Sequence, residues 1–336
     1  MCISLLSTAH PTYPFILLNN RDEFLSRPTA CAHWWEPPNQ HVLGGRDLQR
    51  EIRGTWLAIT RDGRIANLTN FRDDAVEVVG NVSRGGLVSA YVAATATTTT
   101  TTTMALESDG EESYEGFVRR LVGEVDIKKV GGFTLLFGRL RKPDGEGRVP
   151  GLGVLSNRTS TAEGVIRICE KSGETQGLSN SHFGDREWPK VVQGEELLAE
   201  AVSGSIDRGE DQEGLIERLF GVLSVDTLPR PKPGEDFQAF TRQLRNSILI
   251  PPVGGEAVES KPADRIAAAD GTGTPDHSGV KVGEGVYGTQ KQTVVLVDTE
   301  GKVTFIERTL RDGEGQMKPD DSKERRHEFT IEEWER

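Results

Sequence analysis

Met1-Cys2-Ile3-Ser4-Leu5-Leu6-Ser7 opens the chain with a thiol at the head of a short apolar run, and Cys2 to Ser7 reads as a first β-strand. If Met1 is trimmed, the strand begins on a cysteine that carries a free α-amino group. That amine has an ordinary pKa of about 7.7 to 8.0 and a thiol one of about 8.5, so near neutrality the amine can take the thiol's proton. The thiolate would then attack a carbonyl carbon and give an acyl-enzyme. The other reading of Cys2 is a small apolar residue in a buried strand.

Outward from this strand, Phe15 to Leu18, Thr55 to Thr60 and Arg64 to Leu68 are further short runs rich in β-branched and apolar residues. Arg61-Asp62-Gly63-Arg64 joins the last two into a hairpin, Asp-Gly suiting a type I′ turn. Leu87 to Ala94 and Glu112 to Leu121 have helical spacing, and the run Thr97 to Thr103 between them is low in complexity. Phe133 to Leu140, Gly151 to Asn157 and Val165 to Cys169 read as strands. Trp188 to Val202 reads as a helix with Pro189 in its first turn, and Gly214 to Leu223 as another. Strands resume at Gln292 to Asp298 and Lys302 to Arg308, a hairpin through Thr299-Glu300-Gly301, with Arg326 to Ile331 as an edge. Strands at both ends with helices between predict one α+β domain over residues 1–336, its terminal strands sharing sheets. Residues 95–112, 141–150, 254–285 and 311–325 are expected to be disordered insertions.

The chain has 336 residues, 27% charged and 35% hydrophobic, with a formal net charge of -12. It has no basic stripe to neutralise phosphates, which argues against nucleic acid and against an anionic membrane surface. Cys2, Cys31 and Cys169 form neither a CxxC pair nor an even framework, which points to a reducing compartment. The six histidines are scattered, so no zinc site is expected. No apolar run reaches the ~18 residues of a membrane span, and the acidic Asp22 and Glu23 speak against a transit peptide.

Asn19-Asn20-Arg21-Asp22-Glu23-Phe24, followed by Ser26-Arg27-Pro28, resembles the transport and Golgi organisation protein 2 family, also called NRDE after its tetrapeptide. Gly54-Thr55-Trp56-Leu57, Leu68-Thr69-Asn70, Ser83-Arg84-Gly85, Gly177-Leu178-Ser179-Asn180, Trp188-Pro189-Lys190-Val191, Tyr287-Gly288-Thr289 and Thr304-Phe305-Ile306-Glu307-Arg308 match it in order. The family is similar in fold to N-terminal nucleophile hydrolases of the choloylglycine and penicillin-V acylase type, which implies a four-layer αββα sandwich. By that resemblance Cys2 matches the nucleophile. Arg21 and Asp22 match the pair holding the thiol and α-amino group, and Asn70 and Asn180 the oxyanion donors. Read as residues alone, Arg21 and Asp22 could equally be a buried ion pair, and the asparagines could cap turns. Trp34, Trp35 and Trp56 suit a core or a cleft wall. Ser83 suits an N-cap.

The chain departs from the family at Gln290, where an arginine usually follows Tyr-Gly-Thr; the neighbouring cation is Lys291. Arginine and lysine are not interchangeable at such a site. The resemblance implies a role in Golgi organisation, protein secretion and lipid or haem homeostasis, in the cytoplasm with Golgi or mitochondrial association. It implies no required cofactor, and a small-molecule or lipid-derived ligand such as acyl-coenzyme A or haem, with Cys2, His10 or His33 as axial ligand for the latter. The alternative is an amidohydrolase or acyltransferase using Cys2.

Overall fold

A computed structural model describes residues 1–71, 83–93, 114–123, 127, 130–230, 240–254, 285–311 and 323–335. Two antiparallel sheets organise them. The first contains β1 (Ile3–Ser7), β2 (Phe15–Phe24), β10 (Thr175–Ser179), β11 (Val253–Gly254), β12 (Val286–Val297), β13 (Lys302–Thr309) and β14 (Glu324–Thr330). Its order is β10-β1-β2-β12-β13-β14, with β11 also paired to β12. The second contains β3 (Thr29–Trp34), β4 (Val42–Asp47), β5 (Leu57–Thr60), β6 (Arg64–Asn70), β7 (Phe133–Arg139), β8 (Leu152–Ser156) and β9 (Ile166–Ile168), paired in chain order. The expected meeting of N- and C-terminal strands is realised at β2 and β12, the partners at the centre of the first sheet.

Alternation along each strand sends successive side chains to opposite faces, and this builds the layers. Leu6, Leu17, Val295 and Phe305 point from the first sheet toward Leu43, Ile59, Ile65 and Leu136 of the second. Ile3, Leu5, Ile16 and Leu18 face the other way, onto Leu198 of α3 (Pro189–Arg208) and Leu219 of α4 (Gln212–Leu223). Ala58, Ala66 and Leu68 face α1 (Arg84–Val92) and α2 (Tyr114–Gly123) through Leu87, Val88 and Phe117. The architecture is therefore α+β, a four-layer αββα sandwich. Among the described residues no helix is long and apolar enough to cross a membrane.

The Asp62-Gly63 turn departs from the expected type I′, and the turn through Gly301 has the same form. Of their loop residues only Gly63 (φ 84) and Gly301 (φ 78) have positive φ, and the bonds Gly63 N to Thr60 O and Gly301 N to Asp298 O are both 3.0 Å. Each is a three-residue loop ending on a left-handed glycine. The C-terminal turn locks the two together: Ile331 N reaches Gly301 O at 2.9 Å and Glu332 N reaches Arg61 O at 2.8 Å.

Residues 141–150, expected to be disordered, are instead a hydrogen-bonded loop. Lys142 N donates to Trp334 O at 3.0 Å, Asp144 N to Arg148 O at 2.9 Å, and Val149 N to Glu170 O at 2.9 Å. Polar composition misled there because backbone partners, not core side chains, hold the loop. Of the other expected insertions (95–112, 254–285 and 311–325), residues 95–112, 255–284 and 312–322 lie outside the described residues, while Gly254 ends β11 and Glu324 and Arg325 open β14.

Candidate active site around Cys2

The polar stretch Asn19 to Phe24 continues β2 beyond its apolar half, and Tyr287-Gly288-Thr289 does the same for β12. The two polar halves pair: Tyr287 lies opposite Phe24, Gly288 opposite Glu23 and Thr289 opposite Asp22, before the register shifts and Lys291 meets Arg21. Gln290 is thus the extra residue of a β-bulge, a device that re-aims side chains.

Alternation separates Arg21 from Asp22. Asp22 shares the outer face of the sheet with Asn20, Tyr287 and Thr289 and is buried against Lys190 in the first turn of α3. Thr289 Oγ1 donates to Asp22 Oδ1 at 2.7 Å. Asp22 Oδ2 has two cations beside it, the Met1 α-amino group at 3.3 Å and Lys190 Nζ at 3.8 Å. The same amino group donates to the Tyr287 hydroxyl, which donates on to the Asp22 carbonyl oxygen at 3.1 Å. Lys190 Nζ also donates to the Met1 carbonyl oxygen. Cys2 sits at the edge of this cluster, its thiol 3.7 Å from the Asp22 carbonyl oxygen, while Ser179 Oγ donates to the Cys2 carbonyl at 2.6 Å.

Burial governs the electrostatics. It pushes the Cys2 thiol up from its ordinary 9.0, against the pull of the nearby α-amino group. It pushes the Met1 amine and Lys190 down from 8.0 and 10.5, with the Asp22 carboxylate the largest opposing influence on each. Tyr287 is raised well above 10.0, first by burial and then by Asp22. With Met1 in place Cys2 is a half-buried thiol without a free amine of its own, and the amine of Met1 occupies the partners an N-terminal base would use.

The other expected site residues are distributed differently. Arg21 reaches the Cys2 thiol through its charge, which opposes the burial that raises the thiol, and its hydrogen bond goes elsewhere. Its guanidinium donates to Gln290 Oε1, lies 4.6 Å from the Trp56 ring centroid and is 4.0 Å from Glu23 Oε2, all on the inter-sheet side. Adjacent residues of a strand turn to opposite faces of the sheet, which is why the pair splits. Trp56 accordingly lines the inter-sheet layer as a partner of Arg21. Asn70 and Asn180 do come together, but through the Asn180 side-chain amide donating to the Asn70 backbone carbonyl. Asn70 pairs with Phe133 and so shares the outer face of the second sheet with it, away from the layer that holds Asn67 and Thr69. Both Asn70 Oδ1 and Asn180 Oδ1 are buried without a hydrogen bond.

Lys291 does not replace the missing arginine, because it is committed elsewhere, to Glu307 Oε1 at 3.0 Å and Thr309 Oγ1 at 2.9 Å. The cation beside Asp22 comes from Lys190, inside Trp188-Pro189-Lys190-Val191. Tyr287, Thr289 and Ser179 were likewise present in matched motifs without being assigned roles. His10 lies beyond the Ser7 end of β1, opposite the end that Cys2 heads, and its Nδ1 accepts from the Thr12 and Tyr13 backbone amides, each at 3.2 Å. His33 Nδ1 lies 2.7 Å from the Cys31 carbonyl. Among the described residues no three His, Cys, Asp or Glu side chains gather as a metal-ligand set.

Residues 1–312 match the family model described as Transport and Golgi organisation 2. The chain belongs to that family. A human Transport and Golgi organization protein 2 homolog is 29% identical over 304 residues, covering 89% of this chain and 88% of that protein. The Drosophila melanogaster Transport and Golgi organization protein 2 is 28% identical over 306 residues, with 89% and 87% covered. An uncharacterized Saccharomyces cerevisiae protein is 27% identical over 327 residues, with 92% of each covered. Among solved structures, the C2A mutant of conjugated bile acid hydrolase from Clostridium perfringens aligns at 10% identity with a TM-score of 0.36, over 98% of this chain and 92% of that one. The NRDE and Tyr-Gly-Thr segments of this Transport and Golgi organisation 2 family member are thus paired strands that converge on one carboxylate, Asp22.

Proposed function

We propose that this chain is a thiol-dependent amide or thioester hydrolase, or an acyltransferase, in which Cys2 becomes the nucleophile once Met1 is removed. The observation that carries the reading is Asp22, a buried carboxylate facing an α-amino group at 3.3 Å beside the Cys2 thiol. Removal of Met1 gives Cys2 its own α-amine next to that carboxylate. The amine takes the thiol proton as sulfur attacks the substrate carbonyl, and returns it to the leaving amine or thiol as the carbon–heteroatom bond breaks. Water, or an acceptor nucleophile, then takes the acyl group from sulfur. Lys190, whose Nζ donates to the Met1 carbonyl oxygen and loses that acceptor when Met1 leaves, is the donor for the tetrahedral oxyanion.

At the cellular level, we infer a part in transport and Golgi organisation, supported by what the relatives' names say of them and by their similarity over about nine-tenths of the chain. Protein secretion, lipid or haem homeostasis, acyl-coenzyme A or haem as ligand, and a cytoplasmic site near Golgi or mitochondria are supported by the family resemblance alone.

The mature N-terminal mass and an electrophilic acylating probe test the chemistry together. The expected result is a chain beginning at Cys2 and labelled there, with labelling absent in Cys2→Ala. A purified chain that retains Met1, or a Cys2-initiated chain that the probe leaves untouched, would sink the reading. A haem titration whose Soret band is the same in Cys2→Ala would remove Cys2 as haem ligand.

A further inference from the structure

A second cluster of reactive groups lies between the sheets and has no part in the chemistry proposed for Cys2. Lys291, on β12 of the first sheet, and Glu307, on β13, are each 1% exposed and form an ion pair at 3.0 Å. Glu307 Oε1 also accepts the Ala32 backbone amide at 2.9 Å, which ties it to β3 of the second sheet. Lys291 Nζ has a second acceptor in Thr309 Oγ1 at 2.9 Å. Its third contact is the sulfur of Cys31, on β3, at 3.4 Å. Cys31 is a free, half-buried thiol, with Thr309 Oγ1 3.6 Å from its sulfur.

We propose that Cys31 and Lys291 are an oxidisable pair that closes a covalent sulfur–nitrogen link between the two sheets when the thiol meets a hydroperoxide. Three features carry it. The nitrogen and sulfur are already at the separation of a near-attack pair. The nitrogen is held there by two other fixed acceptors, so it has little freedom to leave. A carboxylate touches the ammonium and can receive its proton.

The chemistry balances with hydrogen peroxide as oxidant. The sulfur gives two electrons to the peroxide bond, becoming a sulfenic acid as one water is released. Lys291, after passing a proton to Glu307, attacks the sulfur; the S–N bond forms and the S–O bond breaks. The departing hydroxide takes the second proton lost by nitrogen and leaves as water, while the first stays on Glu307. The product is a sulfenamide, two hydrogens lighter than thiol plus amine, and a thiol reductant reverses it.

The test is non-reducing digestion and tandem mass spectrometry of the full chain after treatment with hydrogen peroxide. The expected product is a cross-linked peptide pair joining Cys31 to Lys291, two hydrogens lighter than the sum, absent after dithiothreitol and absent in Cys31→Ser. Lys291→Arg keeps a cation for Glu307 but has no nucleophilic amine, so Cys31 should stop at the sulfenic acid and be trapped by dimedone more than in the unsubstituted chain. Oxidation of Cys31 to sulfinic acid or to a disulfide, with the Lys291 peptide unmodified, would overturn the proposal without need of either variant. Because Cys2 takes no part, the result is independent of whether Cys2 proves catalytic.

Discussion

Replacing Asp22 with Asn removes the one carboxylate within 4 Å of two cations, the N-terminal amine and Lys190. The Asn oxygen can keep the Thr289 hydroxyl, but its NH2 group then points toward two ammonium groups. The magnitude has a ceiling, because either cation can escape by losing its proton. At pH 7, holding Lys190 neutral costs about 5 kcal/mol from its ordinary 10.5, and the amine about 1 kcal/mol from its ordinary 8.0. Both groups are already pushed down by burial, so part of that cost is present before the substitution. The expected loss is about 3–5 kcal/mol, in the range for breaking a buried pair by removing one partner. The sign with pH follows from the depressed values. Between its folded and unfolded pKa each cation binds more protons in the unfolded chain, so stability rises with pH through that window. At pH 9 the ceiling for Lys190 falls to about 2 kcal/mol and that for the amine vanishes, so the deficit of the variant should shrink to roughly 1–2 kcal/mol. Urea unfolding of Asp22→Asn and the unsubstituted chain at pH 7 and pH 9 measures this. A deficit under about 1 kcal/mol at pH 7, or one of equal size at both pH values, would refute the assignment of Asp22 as counter-ion to both cations.

Lys190→Met removes the proposed oxyanion donor while Asp22 keeps Thr289 and the amine; acylation of Cys2 by an ester or amide probe should fall roughly 100-fold, measured as the single-turnover labelling rate. In chains that retain Met1, the iodoacetamide rate at Cys2 should still be climbing at pH 9, and a plateau at lower pH would contradict the upward push on that thiol. Gly63→Ala places a Cβ 2.9 Å from both Leu140 O and Ile331 Cγ2 in a left-handed residue, and should cost about 1–3 kcal/mol in a thermal or denaturant melt. Asn67→Leu strips the inter-sheet acceptor of Ser4 Oγ (2.5 Å) and the donor to Trp56 O (3.1 Å), with an expected loss of about 1–3 kcal/mol by the same assay.

What could be read from the chain follows a physical division. The apolar halves of β1, β2, β12 and β13 announce themselves because their partners are other apolar side chains, and composition records that directly. The two hairpins were legible from Asp62-Gly63 and Glu300-Gly301, though the turn class was not, since a glycine permits a left-handed residue without saying what precedes it. β3, β4 and β10 escaped notice. They are short and of mixed polarity, and their polar residues are satisfied across space, as where Ala32 N meets Glu307 and Gln176 takes its place opposite Leu6.

The site was legible as a set of motifs but not as a geometry. Arg21 and Asp22 stand together in the tetrapeptide, which invites assigning them one role, yet a strand that runs on through Asn20 to Phe24 must turn them to opposite faces. Once that is granted the rest is forced. Asp22 faces the helices and needs its counter-ions there, so the cation comes from α3, whose first turn carries Lys190. Arg21 faces the second sheet, where the bulge at Gln290 supplies its acceptor and Trp56 its cover. An arginine at position 290 would set two guanidinium groups against each other at that point, whereas glutamine accepts from Arg21 and donates to the Leu25 carbonyl at 3.3 Å. The departure at Gln290 therefore removes no cation from Asp22. It belongs to the inter-sheet face of the strand with Arg21, whose charge still acts on the Cys2 thiol.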